Sequence, residues 1–282
     1  MKTNSFADYA AYSAFRLLGP VFRALPVSVS LFLGRRLGDA FHFFDAKHRA
    51  LAYANIRKAL HNELSPADIR VVTKQFYRNF GQNFIEMFLL PKVDKDYLAR
   101  NITVEGAEHV SEALKSGKGV ILLAVHAGSW ELTNVICSNL GFPFNFFVRE
   151  QKFPRLNGLL NTYRAQRGCK LITRQNQIRA LIDVLKHNEV VGMTVDQGGR
   201  YGEKVTFLGH EASMSSGAVK IALKYGSAIL PAFYLRPGGA RVKTIIGNPF
   251  EVRKTRHAED DTRANLQELM RFYEDCIRRY PA

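Results

Sequence analysis

From Gly119 to Val125 the chain reads Gly-Val-Ile-Leu-Leu-Ala-Val, with no polar side chain in the run. A strand with one wet face alternates apolar and polar residues, so an unbroken apolar run belongs to a strand covered on both faces. Parallel strands of that kind need crossover connections, and the sequence downstream supplies them. Residues 131–140 read as helix, 144–148 as strand, 154–167 as helix and 170–173 as strand. Then 177–187 reads as helix, 190–195 as strand, 216–225 as helix and 228–234 as strand, with a further strand at 242–246 and a closing helix at 261–279. The alternation predicts an α/β fold, with a mixed, largely parallel central sheet covered by helices.

Upstream the texture is helical. Residues 1–98 read as an N-terminal helical cap that associates with a membrane, and 99–282 as the α/β domain. Within the cap, Ser65-Pro66-Ala67-Asp68 opens a helix with an N-cap followed by Pro at the first helical position. Ile69, Val72, Phe76, Phe80, Phe84 and Met87 step by three or four, while Arg70, Lys74, Arg78 and Gln82 take another face. That is an amphipathic helix, ended by Pro91.

Charge narrows the partners. There are 40 Lys+Arg against 25 Asp+Glu, a net +15 with a pI near 9.9. Such an excess favours nucleic acid, anionic lipid or an acidic protein. No recognition helix or nucleic-acid module is present, so nucleic acid is set aside. The three cysteines, Cys137, Cys169 and Cys276, form neither a CxxC pair nor a disulfide framework and fit a reducing compartment. The N-terminus has no secretory signal pattern. The best spanning candidate, residues 15–33, is broken by Arg16, Arg23 and Pro26, where crossing takes roughly 20 mainly apolar residues. Residues 5–44 suit two arrangements, an interfacial helix pair on a bilayer and a helical subdomain on the core.

The sharpest chemical feature follows the buried strand directly: Val125-His126-Ala127-Gly128-Ser129-Trp130-Glu131. Sites in open α/β sheets form at the carboxyl ends of strands. Ala127 and Gly128 permit a sharp turn, so a strand-end His can face a Glu in the first helical turn. The carboxylate would fix the imidazole tautomer and leave the other nitrogen as proton acceptor. A substrate hydroxyl could then attack with no Ser or Cys nucleophile. A half-buried His beside a helix-capping Glu fits the same pattern. A zinc site would need three or more ligands, and His109, His187 and His210 stand isolated in the sequence.

A second strand end carries Val195-Asp196-Gln197-Gly198-Gly199-Arg200. Gly198 and Gly199 offer backbone N–H groups to an oxyanion or phosphate, and Arg200 adds a fork of donors. A glycine turn with an Asp–Arg surface pair fits too. The spacing is not that of a phosphate loop, and there is no Gly-x-Ser-x-Gly elbow. Between the two strand ends, residues 149–179 hold Arg149, Lys152, Arg155, Arg164, Arg167, Lys170, Arg174 and Arg179, offset only by Glu150. A stretch so basic suits an acidic partner or lipid phosphates.

The His126-x4-Glu131 motif, its flanks and an ordered set of blocks resemble the bacterial lipid A biosynthesis acyltransferases, within the lysophospholipid acyltransferase superfamily. Those blocks are Lys47-His48-Arg49 with Asn55, Asn79-Phe80-Gly81 with Glu86, Phe147-Val148-Arg149, Asp196-Gln197 with Gly199-Arg200, Ser216-Gly217, and Leu230-Pro231-Ala232-Phe233 with Arg236. The resemblance implies O-acyl transfer from acyl carrier protein, or from CoA, to a sugar-linked hydroxyl of a glycolipid such as a lipid A precursor, with a lysophospholipid or mannosylated phospholipid as the alternative acceptor, at the inner face of the bacterial cytoplasmic membrane. Family members commonly carry a strongly apolar N-terminal helix, and the arginines that break it here point to peripheral or monotopic attachment instead. It implies His126 as general base, Glu131 as its orienter, and Arg149, Asp196 and Arg200 near the site; together with Arg164 of the basic stretch and Gly198 and Gly199 of the glycine loop, these are the expected substrate-binding residues. Neither metal nor bound cofactor enters; the thioester arrives as a substrate. Family members often continue into an aromatic and basic block where this sequence reaches Pro281-Ala282.

Overall fold

A computed structural model describes residues 5–148, 152–172 and 177–282, apart from the side chains of Arg167 and Gln177. Four helices come first: α1 (Ser5–Ala24), α2 (Val27–Phe44), α3 (Ala46–Leu60) and α4 (Pro66–Leu89). Local chemistry sets their ends. Pro26 separates α1 from α2, and Asp45 caps α3 by accepting the His48 backbone N–H. Ser65 and Asp68 form a reciprocal capping box at α4, with Pro66 at its first position.

The chain then alternates. α5 (Lys95–Asn101), β1 (Ile102–Glu105), α6 (Ala107–Leu114) and β2 (Val120–Ala124) lead to α7 (Thr133–Asn139), β3 (Phe144–Phe147), α8 (Pro154–Arg164) and β4 (Lys170–Ile172). After these come α9 (Gln177–Lys186), β5 (Val190–Thr194), β6 (Glu203–Phe207), β7 (His210–Met214), α10 (Gly217–Tyr225), β8 (Ala228–Gly238), β9 (Arg241–Ile246) and α11 (Ala258–Arg279). Seven strands make one sheet in the order β1-β9-β8-β2-β5-β3-β4. Every neighbouring pair is parallel except β8 with β9. The α/β class expected from the alternation is therefore the class observed.

β2 sits in the sheet between β5 and β8, and all five of its residues are buried. Its side chains divide by parity, as a strand's must. Ile121 and Leu123 enter a core with Val219, Leu266 and Met270, while Val120, Leu122 and Ala124 enter another with Val110, Cys137 and Phe144. β1 and the β6–β7 hairpin were not expected. The hairpin's two-residue turn puts Leu208 and Gly209 at positive φ, 48° and 77°. Leu at such a position is uncommon, so the usual Asn-Gly or Asp-Gly turn signal is absent.

In the helical layer the apolar stripe is not the buried one. An amphipathic helix normally turns its apolar face to the core. α4 instead buries Thr73, Asn79, Gly81, Gln82 and Glu86 together with Ile69, Tyr77, Ile85 and Phe88, and leaves Phe76, Phe80 and Phe84 exposed. The reason is the crossing with α2. A Cβ on Gly81 would lie 2.6 Å from the Gly38 nitrogen, and one on Gly34 would lie 2.9 Å from the Gln82 Cα. The two backbones touch there, so the contact face takes glycines and the aromatics turn outward. Among the described residues no helix is long and apolar enough to cross a membrane.

Candidate active site

Strand register builds the site. β2 pairs with β5 in parallel, Ala124 opposite Thr194. Two residues farther along, His126 and Asp196 therefore emerge side by side. Asp196 Oδ2 accepts the His126 backbone N–H at 3.0 Å, and the ring Nδ1 donates to Asp196 Oδ1 at 2.8 Å. The carboxylate holds both ends of the residue and leaves Nε2 as the proton acceptor. This hydrogen bond raises the imidazole pKa above its ordinary 6.5, against the opposing effect of partial burial, and the charges of Asp196 and Glu131 add to the rise. The Trp130 ring stands edge-on to the imidazole, 5.6 Å between centroids.

The carboxylate holding the ring is thus Asp196, where Glu131 was expected. Glu131 lies in a short 3-10 turn, Trp130–Leu132, rather than in a regular helix. Arg164, at the end of α8, claims it with a two-pronged contact, Nε at 2.9 Å and an outer nitrogen at 2.6 Å. Arg164 is buried and Glu131 partly so. The pair ties α8 to the turn that bears His126, and Glu131 acts on the imidazole through its charge.

A buried polar seam supports the same turn from behind. Gly128 has φ +52°, and a Cβ there would lie 2.6 Å from the Tyr234 carbonyl carbon, so the position requires glycine. Asn83 of α4 donates to the Gly128 carbonyl at 2.6 Å. Arg236 of β8 donates to Ser129 Oγ at 2.7 Å and lies 2.5 Å from Glu86 Oε1, the two charged side chains only 1% and 2% exposed. Glu86 and Arg236 were picked out in the sequence only as parts of blocks, and Asn83 and Ser129 had no assigned role. The signal for them was the polar series Asn79, Gln82, Asn83 and Glu86, spaced by three or one along a helix otherwise rich in Phe.

The Asp196–Arg200 loop is only partly as expected. The Gly198 N–H donates to the Ser213 carbonyl at 3.3 Å, and a Cβ on Gly198 would lie 2.7 Å from the Met214 backbone. That glycine lets the loop pack against β7, and its N–H is already engaged. Gly199 has φ +57°, and Arg200 is exposed in the short turn that follows. In the basic stretch, Arg155 pairs with the buried Asp8 of α1, Arg164 with Glu131 and Lys170 with Glu189. Those cations are matched within the chain. Arg149, Glu150 and Arg174 lie outside the described residues. Among the described residues no three His, Cys, Asp or Glu side chains converge as a metal site.

Beside the turn lies an apolar cleft of about 410 Å³ between α4 and α8. Phe15, Phe80, Phe84, Met87, Trp130, Leu156 and Leu160 line it, together with the polar side chains of Asn83, Glu86, Ser129, Glu131, Lys152 and Arg164. α8 is fixed there by Asp8, whose carboxylate accepts the Arg155 and Leu156 backbone N–H groups at 3.1 and 3.3 Å, satisfying donors that a helix start leaves open. A strand-end base whose neighbour Trp130 lines an apolar cleft suits proton removal from a hydroxyl beside a bound apolar chain.

The profile of a protein family described as bacterial lipid A biosynthesis acyltransferase matches residues 3–282. A phosphatidylinositol mannoside acyltransferase of Mycobacterium tuberculosis is 27% identical over 160 residues, 54% of this chain and 51% of that protein. A lipid A biosynthesis palmitoleoyltransferase of Escherichia coli K12 is 24% identical over 218 residues, 75% of this chain and 69% of that protein. A lipid A biosynthesis acyltransferase of Haemophilus influenzae is 24% identical over 141 residues, 49% of this chain and 44% of its own length. The chain spans about half the length of the mycobacterial relative.

Proposed function

The chain belongs to the bacterial lipid A biosynthesis acyltransferase family, and from that premise we propose that it moves a fatty-acyl chain from a thioester to a hydroxyl of a membrane glycolipid. The observation that carries the reading is the imidazole held by Asp196 at a strand end beside the apolar cleft. The acceptor oxygen attacks the thioester carbonyl carbon while its proton passes to His126 Nε2. Asp196 stabilises the resulting imidazolium. The tetrahedral intermediate then collapses, the C–S bond breaks, and the leaving thiolate takes the proton from His126. The products are an ester and a free thiol.

In this reading the cleft receives the donor's acyl chain, and the Glu131–Arg164 pair fixes the turn at its mouth. Arg200 and Arg149 serve the phosphates of donor or acceptor, and the glycines at 198–199 shape the loop that carries Arg200. The donor is acyl carrier protein or CoA, and an acidic carrier suits a chain of net +15. Neither a metal nor a bound cofactor takes part. The exposed apolar faces of α1 and α2 rest on the cytoplasmic face of the inner membrane, a peripheral or monotopic attachment. The mycobacterial relative's name favours a second acceptor class, mannosylated phospholipid, alongside lipid A precursors.

The test is a purified-protein assay with both thioester donors against a panel of lipid A precursors, mannosylated phospholipids and lysophospholipids. Turnover should appear with at least one glycolipid, and His126→Ala should lower it roughly 10²–10⁴-fold while the variant remains folded. Near-normal transfer by that variant would sink the mechanism.

A further inference from the structure

α3 and α4 enclose a second apolar groove, of about 440 Å³, away from the catalytic turn. Leu51, Ala52 and Ile56 of α3 face Phe76, Tyr77 and Phe80 of α4 across it. Its lining includes Asp45, which accepts from the His48 ring nitrogen at 2.8 Å. Phe80 is a wall of this groove and of the catalytic cleft alike. The two are joined by a stripe on α4, Phe76, Phe80 and Phe84, which are 45%, 47% and 36% exposed. Eight residues of helix cover ~12 Å, so the stripe is long enough to guide a hydrocarbon chain from one groove to the other. Large aromatics left in water along a continuous line mark a surface meant for something apolar.

Resting on the acyl-transfer reading, we propose that the α3–α4 groove is a second hydrocarbon site, which takes an acyl chain of the acceptor lipid while the acceptor's hydroxyl reaches His126. The catalytic cleft is filled by the donor's chain in that reading, so the acceptor's own chains need another apolar wall continuous with it, and this groove is continuous through Phe80. Charge also fits. α3 carries Lys47, Arg49, Arg57 and Lys58 and no acidic residue between Ala46 and Leu60, which suits an anionic headgroup above the groove.

Leu51→Asp and Phe76→Ser test the site, since both side chains are exposed and neither belongs to the catalytic turn. Transfer is measured to long-chain and short-chain forms of one phosphorylated glycolipid acceptor. Each variant should lose about tenfold in kcat/KM on the long-chain form and nothing on the short-chain form. Binding to acceptor-free phosphatidylglycerol vesicles should stay unchanged. Equal losses on both forms, or none on either, would overturn the site. Vesicle binding that falls in step with turnover would overturn it as well, by assigning the face to the bilayer itself. A long-chain acceptor with a photoreactive group at its tail should label residues around Leu51 and Phe76, and labelling elsewhere overturns the proposal even where no turnover is seen. A wild-type protein that is labelled there but transfers to no acceptor would fail the acyl-transfer reading alone.

Discussion

The sheet and the four-helix layer differ in what they bury: the layer has an apolar cluster of Phe15, Leu31, Ile85 and Phe88, yet it buries glycines and polar groups beside that cluster and leaves other large apolar side chains outside. In the sheet, burial follows apolarity: β2 is buried throughout, and its side chains alternate between two ordinary cores. In the helical layer α1 buries Asp8 and Gly19 along with Phe15, while Phe6 and Leu17 are 81% and 73% exposed. α2 buries Ser30, Gly34 and Gly38 along with Leu31, and exposes Phe32, Phe43 and Phe44. α4 buries Glu86 and exposes its aromatic stripe. The sheet is arranged to exclude water from itself. The layer is arranged to bring its helices close through glycines and polar seams and to offer its apolar groups to a non-aqueous neighbour. The candidate site lies on the seam between the two.

The largest effect should come from the sheet side of that seam. Asp196→Asn removes the anionic acceptor from His126 Nδ1, and the rate of acyl transfer should fall roughly 10²–10⁴-fold. The direction with pH follows from the raised imidazole pKa. His126 must be neutral to accept a proton, so the wild-type rate declines as pH falls through that raised value, and the variant's acid limb should move to lower pH. Stability moves the other way. The Asp196 contact contributes fully below the ordinary His value of 6.5 and is lost as pH rises through the raised one. A pH–rate profile with an unmoved acid limb would remove Asp196 from its role.

Next in size is the seam itself. Arg236→Met leaves the Glu86 carboxylate buried without a counter-charge, at a cost of about 3–5 kcal/mol in denaturant unfolding. The double variant Glu86→Leu with Arg236→Met should recover most of that loss, because an apolar pair of similar size replaces an ion pair well. Transfer should stay impaired in the double variant, since Ser129 still lacks its Arg236 donor. Recovery of both would make the seam a packing element with no bearing on the turn.

Legibility in the sequence follows the same division. Apart from β1, the sheet was readable because burial on both faces leaves a local mark, the run from Gly119 to Val125, and because strand-end residues such as His126 and Asp196 sit beside turn-forming glycines. Which carboxylate meets the imidazole was not readable. It depends on the register of β2 against β5, a contact between residues 70 apart in the chain. The hairpin at 203–214 hid behind polar, charged strands and a Leu-Gly turn. In α4 the helical period was plain, but periodicity identifies the apolar face without saying what covers it. The glycines at 34, 38 and 81 were the signal that a backbone, not a set of aromatics, would fill the contact.

The smallest effect tests the contrast most directly. Leu122→Ala opens a cavity beneath the sheet and should cost about 2–5 kcal/mol. Leu17→Gln exchanges one apolar side chain for a good helix former on the outer face of α1, and should change stability by no more than about 0.5 kcal/mol. Its effect should appear instead in sedimentation with phosphatidylglycerol vesicles, where less of the variant is carried down at equal lipid. A Leu17→Gln loss of stability comparable to that of Leu122→Ala would mean that α1 turns this face to the protein's own core. Unchanged stability with unchanged vesicle binding would leave the exposed face of α1 without the lipid neighbour inferred for it, and only the α3–α4 side of the layer would then carry the apolar contact.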